Sequence, residues 1–85
     1  SEGFLVSPDM AQVERPLARR VIDRVLSLAL GRDARIETAS IETCLDGLGK
    51  SGFVSNIQGN LAVSYNKNGL RIEPMDAFRA RRKKL

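Results

Sequence analysis

The sequence has no histidine, no tryptophan and a single cysteine, Cys44. Without histidine there is no imidazole for a nucleophile–base dyad or a mixed zinc site, and one thiol cannot close an intramolecular disulfide. Long hydrophobic runs are missing too. The longest apolar stretch, around Val25 to Leu30, is interrupted by Ser27 and falls well short of the roughly 20 residues a bilayer crossing needs, so no membrane partner is expected. The opening Ser1-Glu2-Gly3 lacks the basic start and apolar run of a signal peptide and has no initiator methionine. The expectation is therefore a piece of a longer cytoplasmic protein.

What is present is ordinary for a globular chain: 85 residues, 42% hydrophobic and 28% charged. That length allows one modestly stable domain and no second core. Cys44 lies three residues after Ile41 and one before Leu45, at helical spacing, which suits a buried packing residue rather than a nucleophile.

The charge is unevenly distributed. Residues 1–75 carry nine Lys/Arg against nine Asp/Glu, whereas 76–85 carry five (Arg79, Arg81, Arg82, Lys83, Lys84) against Asp76, so the net charge of +4 resides in the last ten residues. This divides the chain into a domain over 1–75 and a basic tail or linker over 76–85. Clustered cations without an aromatic run suit a phosphate backbone or another anionic surface, and they equally suit a solubilising or linking segment.

Pro16 opens a helical pattern in which Leu17, Val21, Val25 and Leu28 form one stripe, widened by Ile22, Leu26 and Ala29. Proline in the first turn and Gly31 just past the end bound this helix at 16–30. Its other face gathers Arg19, Arg20, Asp23 and Arg24, with a favourable Arg19–Asp23 spacing and a repulsive Arg20–Arg24 one. An anionic partner would relieve that repulsion, and water would suffice for a solvated face. After the polar link Arg32-Asp33-Ala34-Arg35, Thr38 is placed to cap a second helix carrying Ile41, Leu45 and Leu48, which Gly47, Gly49 and Gly52 stop.

From Phe53 the period changes to two. Leu61, Val63 and Tyr65 alternate with Ala62, Ser64 and Asn66, as in a half-buried strand. If Asn68-Gly69 form a type I′ turn, Lys67 faces Leu70, Tyr65 faces Ile72 and Val63 faces Pro74, with Tyr65 and Ile72 on one face. Phe53 to Ile57 reads as a third strand joined through Gln58-Gly59-Asn60. The fold class is α+β, two helices packed on a small antiparallel β-meander or hairpin.

Gly47, Gly49, Lys50 and Ser51 fail as a phosphate-binding loop. That motif follows a strand and opens a helix, whereas here helix precedes and strand follows. The ten carboxylates are scattered without a pocket signal, so no catalytic residue and no metal cluster is assigned. The isolated domain is expected to lack both catalysis and nucleotide binding.

The segment Pro16-Leu17-Ala18-Arg19-Arg20-Val21-Ile22-Asp23-Arg24-Val25-Leu26 resembles the proline, leucine, arginine-arginine, apolar helix that follows the ATP-binding domain of bacterial tRNA(Ile)-lysidine synthetases. A second short helix, here Thr38 to Leu48, and a glycine-bounded hairpin segment, here Ser51 to Glu73, follow in the order of those enzymes, so the likeness covers about residues 4–73. The family's Ser-Gly-Gly-x-Asp-Ser nucleotide loop is not in this sequence. The resemblance implies a supporting domain of an ATP-dependent tRNA lysidine ligase, with ATP and catalysis in another domain and neighbouring domains of the same chain as partners. Here Arg19, Arg20 and Arg24 match the family's basic helix and would help position tRNA; the segment from Asp76 onward matches no motif of the family and would be a linker, so RNA contact by Arg79, Arg81, Arg82, Lys83 and Lys84 is expected from charge alone.

The physical reading agrees in direction, since phosphate contacts position an RNA without reading its sequence. The alternative is a protein-interaction or regulatory module with solvated arginines and a sheet edge holding a partner. DNA is disfavoured: the link from Gly31 to Arg35 is not a tight turn into a base-reading helix, and the second helix carries Glu42 and Asp46.

Overall fold

In a computed structural model describing residues 3–83, helix α1 spans Arg15–Leu30 and ends on Gly31, whose N–H donates to the Ser27 carbonyl at 2.9 Å. Pro16 stands in its first turn, as its missing N–H and fixed φ favour. The side it buries is Ala18, Ile22 and Leu26, so the residues expected to widen the stripe form its centre. Leu17 and Leu28, expected at the heart of the stripe, are 50% and 57% exposed, while Val21 and Val25 are only partly buried.

Helix α2 spans Thr38–Gly47. Thr38 is its first helical residue and not its cap; Glu37 holds that position without a side-chain hydrogen bond. The entry is instead secured from the sheet side. The Glu37 N–H donates to Gln58 Oε1 at 2.6 Å, Gln58 Nε2 donates to the Arg35 carbonyl at 2.9 Å, and the Gln58 N–H donates to the buried Ser40 hydroxyl at 3.2 Å. A long-range amide thus does what a local cap does elsewhere, satisfying a donor at that end.

Four strands, β1 (Phe4–Val6), β2 (Val54–Ile57), β3 (Leu61–Asn66) and β4 (Gly69–Pro74), make one antiparallel sheet in the order β1-β4-β3-β2. The expected meander is present as β2–β3–β4, and β1 adds a three-residue edge too short to give a readable alternation. The β3–β4 register differs by two residues from the expected one: Tyr65 pairs with Leu70, Val63 with Ile72 and Leu61 with Pro74. The turn residues are Lys67 and Asn68, neither with positive φ, and the Asn68 N–H donates to Asn66 Oδ1 at 2.8 Å. A type I′ turn needs positive φ at both central residues, so the turn is of another kind, and the positive φ (+124°) falls on Gly69. A Cβ there would also run into the Val6 carbonyl, so glycine serves both the turn and the approach of β1. A two-residue slip preserves facing parity, and Tyr65 and Ile72 do share a face.

The inner face packs Ile57, Leu61, Val63, Tyr65, Leu70, Ile72 and Val6 against Ala18, Ile22, Leu26, Ile41, Cys44 and Leu45. The outer face is partly covered by a third helix, α3, over Met75–Lys83. Residues 76–83, read from charge as a tail, are helical because Met75 and Phe78, three apart, bury against Ala62. The α+β class stands, with three α-helices and four strands among the described residues. Among the described residues no helix is long and apolar enough to cross a membrane.

Candidate nucleic-acid interface

The sheet separates the two basic clusters. Helix α1 shares its core with the inner-face residues Val63, Leu70 and Ile72, whereas α3 packs on outer-face Ala62. Arg19, Arg20 and Arg24 therefore lie on one side of the sheet and Arg79, Arg81, Arg82 and Lys83 on the other; Lys84 lies outside the described residues.

The α1 arginines differ among themselves. Arg19 Nη2 is ion-paired with Glu42 Oε2 on α2, which replaces the expected Arg19–Asp23 pair. Arg15 joins the same network, donating to Glu42 Oε1 at 2.7 Å and Asp46 Oδ1 at 3.3 Å. The acidic residues of α2 thus fasten α2 to α1. Arg20 and Arg24 are exposed and, among the described residues, have no carboxylate in ion-pair range.

On α3 the four cations also divide. Arg81 grips Glu73 of β4 with two donors, Nη2 to Oε2 at 2.5 Å and Nε to Oε1 at 3.3 Å. Glu73 is only 5% exposed, and the bond to its carboxylate holds the Arg81 guanidinium above its usual pKa. A buried carboxylate requires such a bidentate partner. Arg81 is therefore an anchor of α3 before it is a ligand group. Arg79, Arg82 and Lys83 are exposed, and among the described residues none has a carboxylate within ion-pair range. Arg82 lies over the Phe78 ring with Cζ 5.3 Å from its centroid, which fixes its direction without neutralising it.

A cleft of about 350 Å³ runs beside α3, lined by Arg81, Arg82, Phe78, Ser64, Asn66 and Val54. Arg71, which the charge pattern alone does not single out, stands in register with Ser64 on this outer face. Its signal is the alternation Leu70-Arg71-Ile72-Glu73, which also sends Glu73 outward toward α3. The surface offers guanidinium and amide donors, with Phe53, Tyr65 and Phe78 also in its lining, and such donors suit phosphate oxygens and sugar hydroxyls.

Lys50 and Ser51 lie in the turn between α2 and β2, with a helix before and a strand after, the reverse of the element order of a phosphate-binding loop. Among the described residues no group of three or more His, Cys, Asp or Glu side chains is placed to hold a metal ion. Cys44 is fully buried, and desolvation pushes its thiol up to about 12, which makes it a packing group. Comparison with protein-family models, with curated proteins and with solved structures returns no match.

Proposed function

We propose that this domain is a non-catalytic RNA-positioning module, contacting the tRNA backbone in a cytoplasmic ATP-dependent tRNA-modifying ligase whose nucleotide site lies in another domain. The observation that carries this reading is the end of α3, where Arg79, Arg82 and Lys83 project without carboxylate partners among the described residues, from a helix anchored to the sheet by Phe78 and Arg81. Anchored cations position a phosphate backbone more effectively than a free tail does, because less side-chain and backbone freedom remains to be lost on binding. Arg82 and Lys83, in the last turn, also favour the carbonyl end of the helix that presents them. The resemblance in the α1 segment supports the choice of tRNA among RNAs, and Arg71 and the polar outer face extend the binding surface.

The test is fluorescence anisotropy with labelled tRNA between about 50 and about 200 mM salt. Affinity falls with salt, and Arg79→Gln with Arg82→Gln weakens binding and flattens the log–log slope by about 0.7–0.9 for each phosphate the variant no longer neutralises, the lower value applying to single-stranded segments. Arg32→Gln, on the loop after α1, leaves the slope unchanged. An α3 double variant with wild-type affinity and slope overturns the reading. The alternative, a protein-interaction module, is favoured by the uncovered apolar side of α1.

A further inference from the structure

Helix α1 carries more apolar surface than its own domain covers. At about 100° per residue, Leu17, Leu28, Val21, Val25, Ala18, Ala29, Ile22, Leu26 and Leu30 sweep an arc of roughly 200°. Helix α2 and the sheet take the half centred on Ile22 and Leu26, both 0% exposed. The other half is a shallow groove of about 460 Å³ lined by Leu17, Val21 and Val25, with Arg20 and Arg24 along one rim. Leu17 and Leu28 are among the four large apolar side chains most exposed among the described residues. Such a stripe with its own charged border marks a docking face rather than a solvated one.

Charge chooses the occupant. Arg15 and Arg19, one helical step away, are answered by Glu42 and Asp46, but Arg20 and Arg24 have no such partner among the described residues and repel each other across one turn. We infer that the α1 groove docks an amphipathic helix of a partner protein, whose aliphatic side chains fill the space between Leu17 and Val25. Its Glu or Asp residues, four apart, pair with Arg20 and Arg24. The spacing matches because a four-residue step rises about 6 Å on either helix. RNA fits less well, since the groove is aliphatic and offers no ring on which a base could stack. A second copy fits poorly as well: a two-fold seam of α1 against α1 would gather four guanidinium groups in a chain whose net charge is already +4.

The probe is a designed helical peptide with leucines at i, i+4 and i+7 and flanking glutamates four apart, titrated by anisotropy against the 85-residue chain. A lysine-for-glutamate peptide serves as its counterpart. The expected result is micromolar binding of the acidic peptide, with backbone amide shifts confined to α1. Arg20→Glu with Arg24→Glu weakens that binding roughly tenfold and transfers preference to the lysine peptide. Leu17→Gln abolishes binding of both; because Leu17 is half exposed, thermal melts remain near wild type. Equal binding of both peptides, no binding of either, or α1 shifts with tRNA or phosphatidylglycerol vesicles in place of the acidic peptide overturns the inference. So does a concentration-dependent dimer that Leu17→Gln dissolves. Since the peptide assay contains no RNA and the tRNA assay reads α3, failure here is distinguishable from failure of the RNA reading.

Discussion

Cys44 illustrates what burial does to one group. Its side chain is fully enclosed within the main core, and desolvation of the thiolate raises the thiol from 9.0 to about 12. Below about pH 9 the thiol is protonated in folded and unfolded chains alike, and it contributes no pH dependence. Above about pH 9 the unfolded chain releases the proton and the folded chain does not. The folded state then holds more protons, and stability falls by about 1.4 kcal/mol per pH unit until the folded thiol ionises near 12. Cys44→Ala removes this slope. Urea melts should therefore show the variant about 1 kcal/mol less stable at about pH 7, with the gap closing by about pH 10. A constant gap contradicts the assignment, as does rapid labelling of native Cys44 by a thiol reagent at about pH 8.

At the scale of elements, α1 shows why hydrophobic periodicity finds a helix more readily than it finds the side the helix buries. Leu17, Val21, Val25 and Leu28 and the set Ala18, Ile22 and Leu26 both recur at helical spacing, and the wide arc contains two stripes. Nothing in the local spacing specifies where α2 lies, and the second stripe is the one that packs against Ile41, Cys44 and Leu45 of α2 and the inner face of the sheet, with the exposed pairs of Arg15 and Arg19 to Glu42 bordering that contact. The measurable consequence is a contrast of equal substitutions. Leu26→Ala should cost about 2–5 kcal/mol in urea melts, because it leaves a cavity in a closed core. Leu28→Ala should stay within about 0.5 kcal/mol. Equal costs would mean that Leu28 is covered within the domain.

Across the whole molecule, the four-stranded sheet works as a partition. Its inner face closes the main core with α1 and α2, and its outer face carries the smaller Ala62, Met75 and Phe78 cluster. Charges that look like one basic system along the chain are thereby placed on two surfaces with different chemistry. One is aliphatic and rimmed by Arg20 and Arg24, the other mixed, with Arg81 and Arg82 beside Ser64, Asn66, Val54 and Phe78. Sites so separated, with no shared partners, act additively. Arg79→Gln with Arg82→Gln should leave affinity for the acidic peptide within a factor of about two, and Leu17→Gln should leave tRNA affinity equally unchanged. Coupled losses would mean that the two faces form one site.

From sequence alone came what depends on local pattern: helices near 16–30 and 38–48, the β2–β3–β4 meander, the shared face of Tyr65 and Ile72, and Cys44 as a packing residue. These rest on periodicity, on Pro16 and Gly31, and on the parity of a strand, which survives even a two-residue slip in register. Tertiary structure decided what depends on partners distant in the chain. The cap of α2 is supplied by Gln58, Arg19 answers Glu42 and not Asp23, and β1 can approach β4 because Gly69 admits the Val6 carbonyl. The basic tail became a helix because Met75 and Phe78 found Ala62 and Arg81 found Glu73. The physical reason is the same in each case: burial and ion pairing are settled between surfaces that meet only when the chain is folded, and local spacing does not record which surfaces meet.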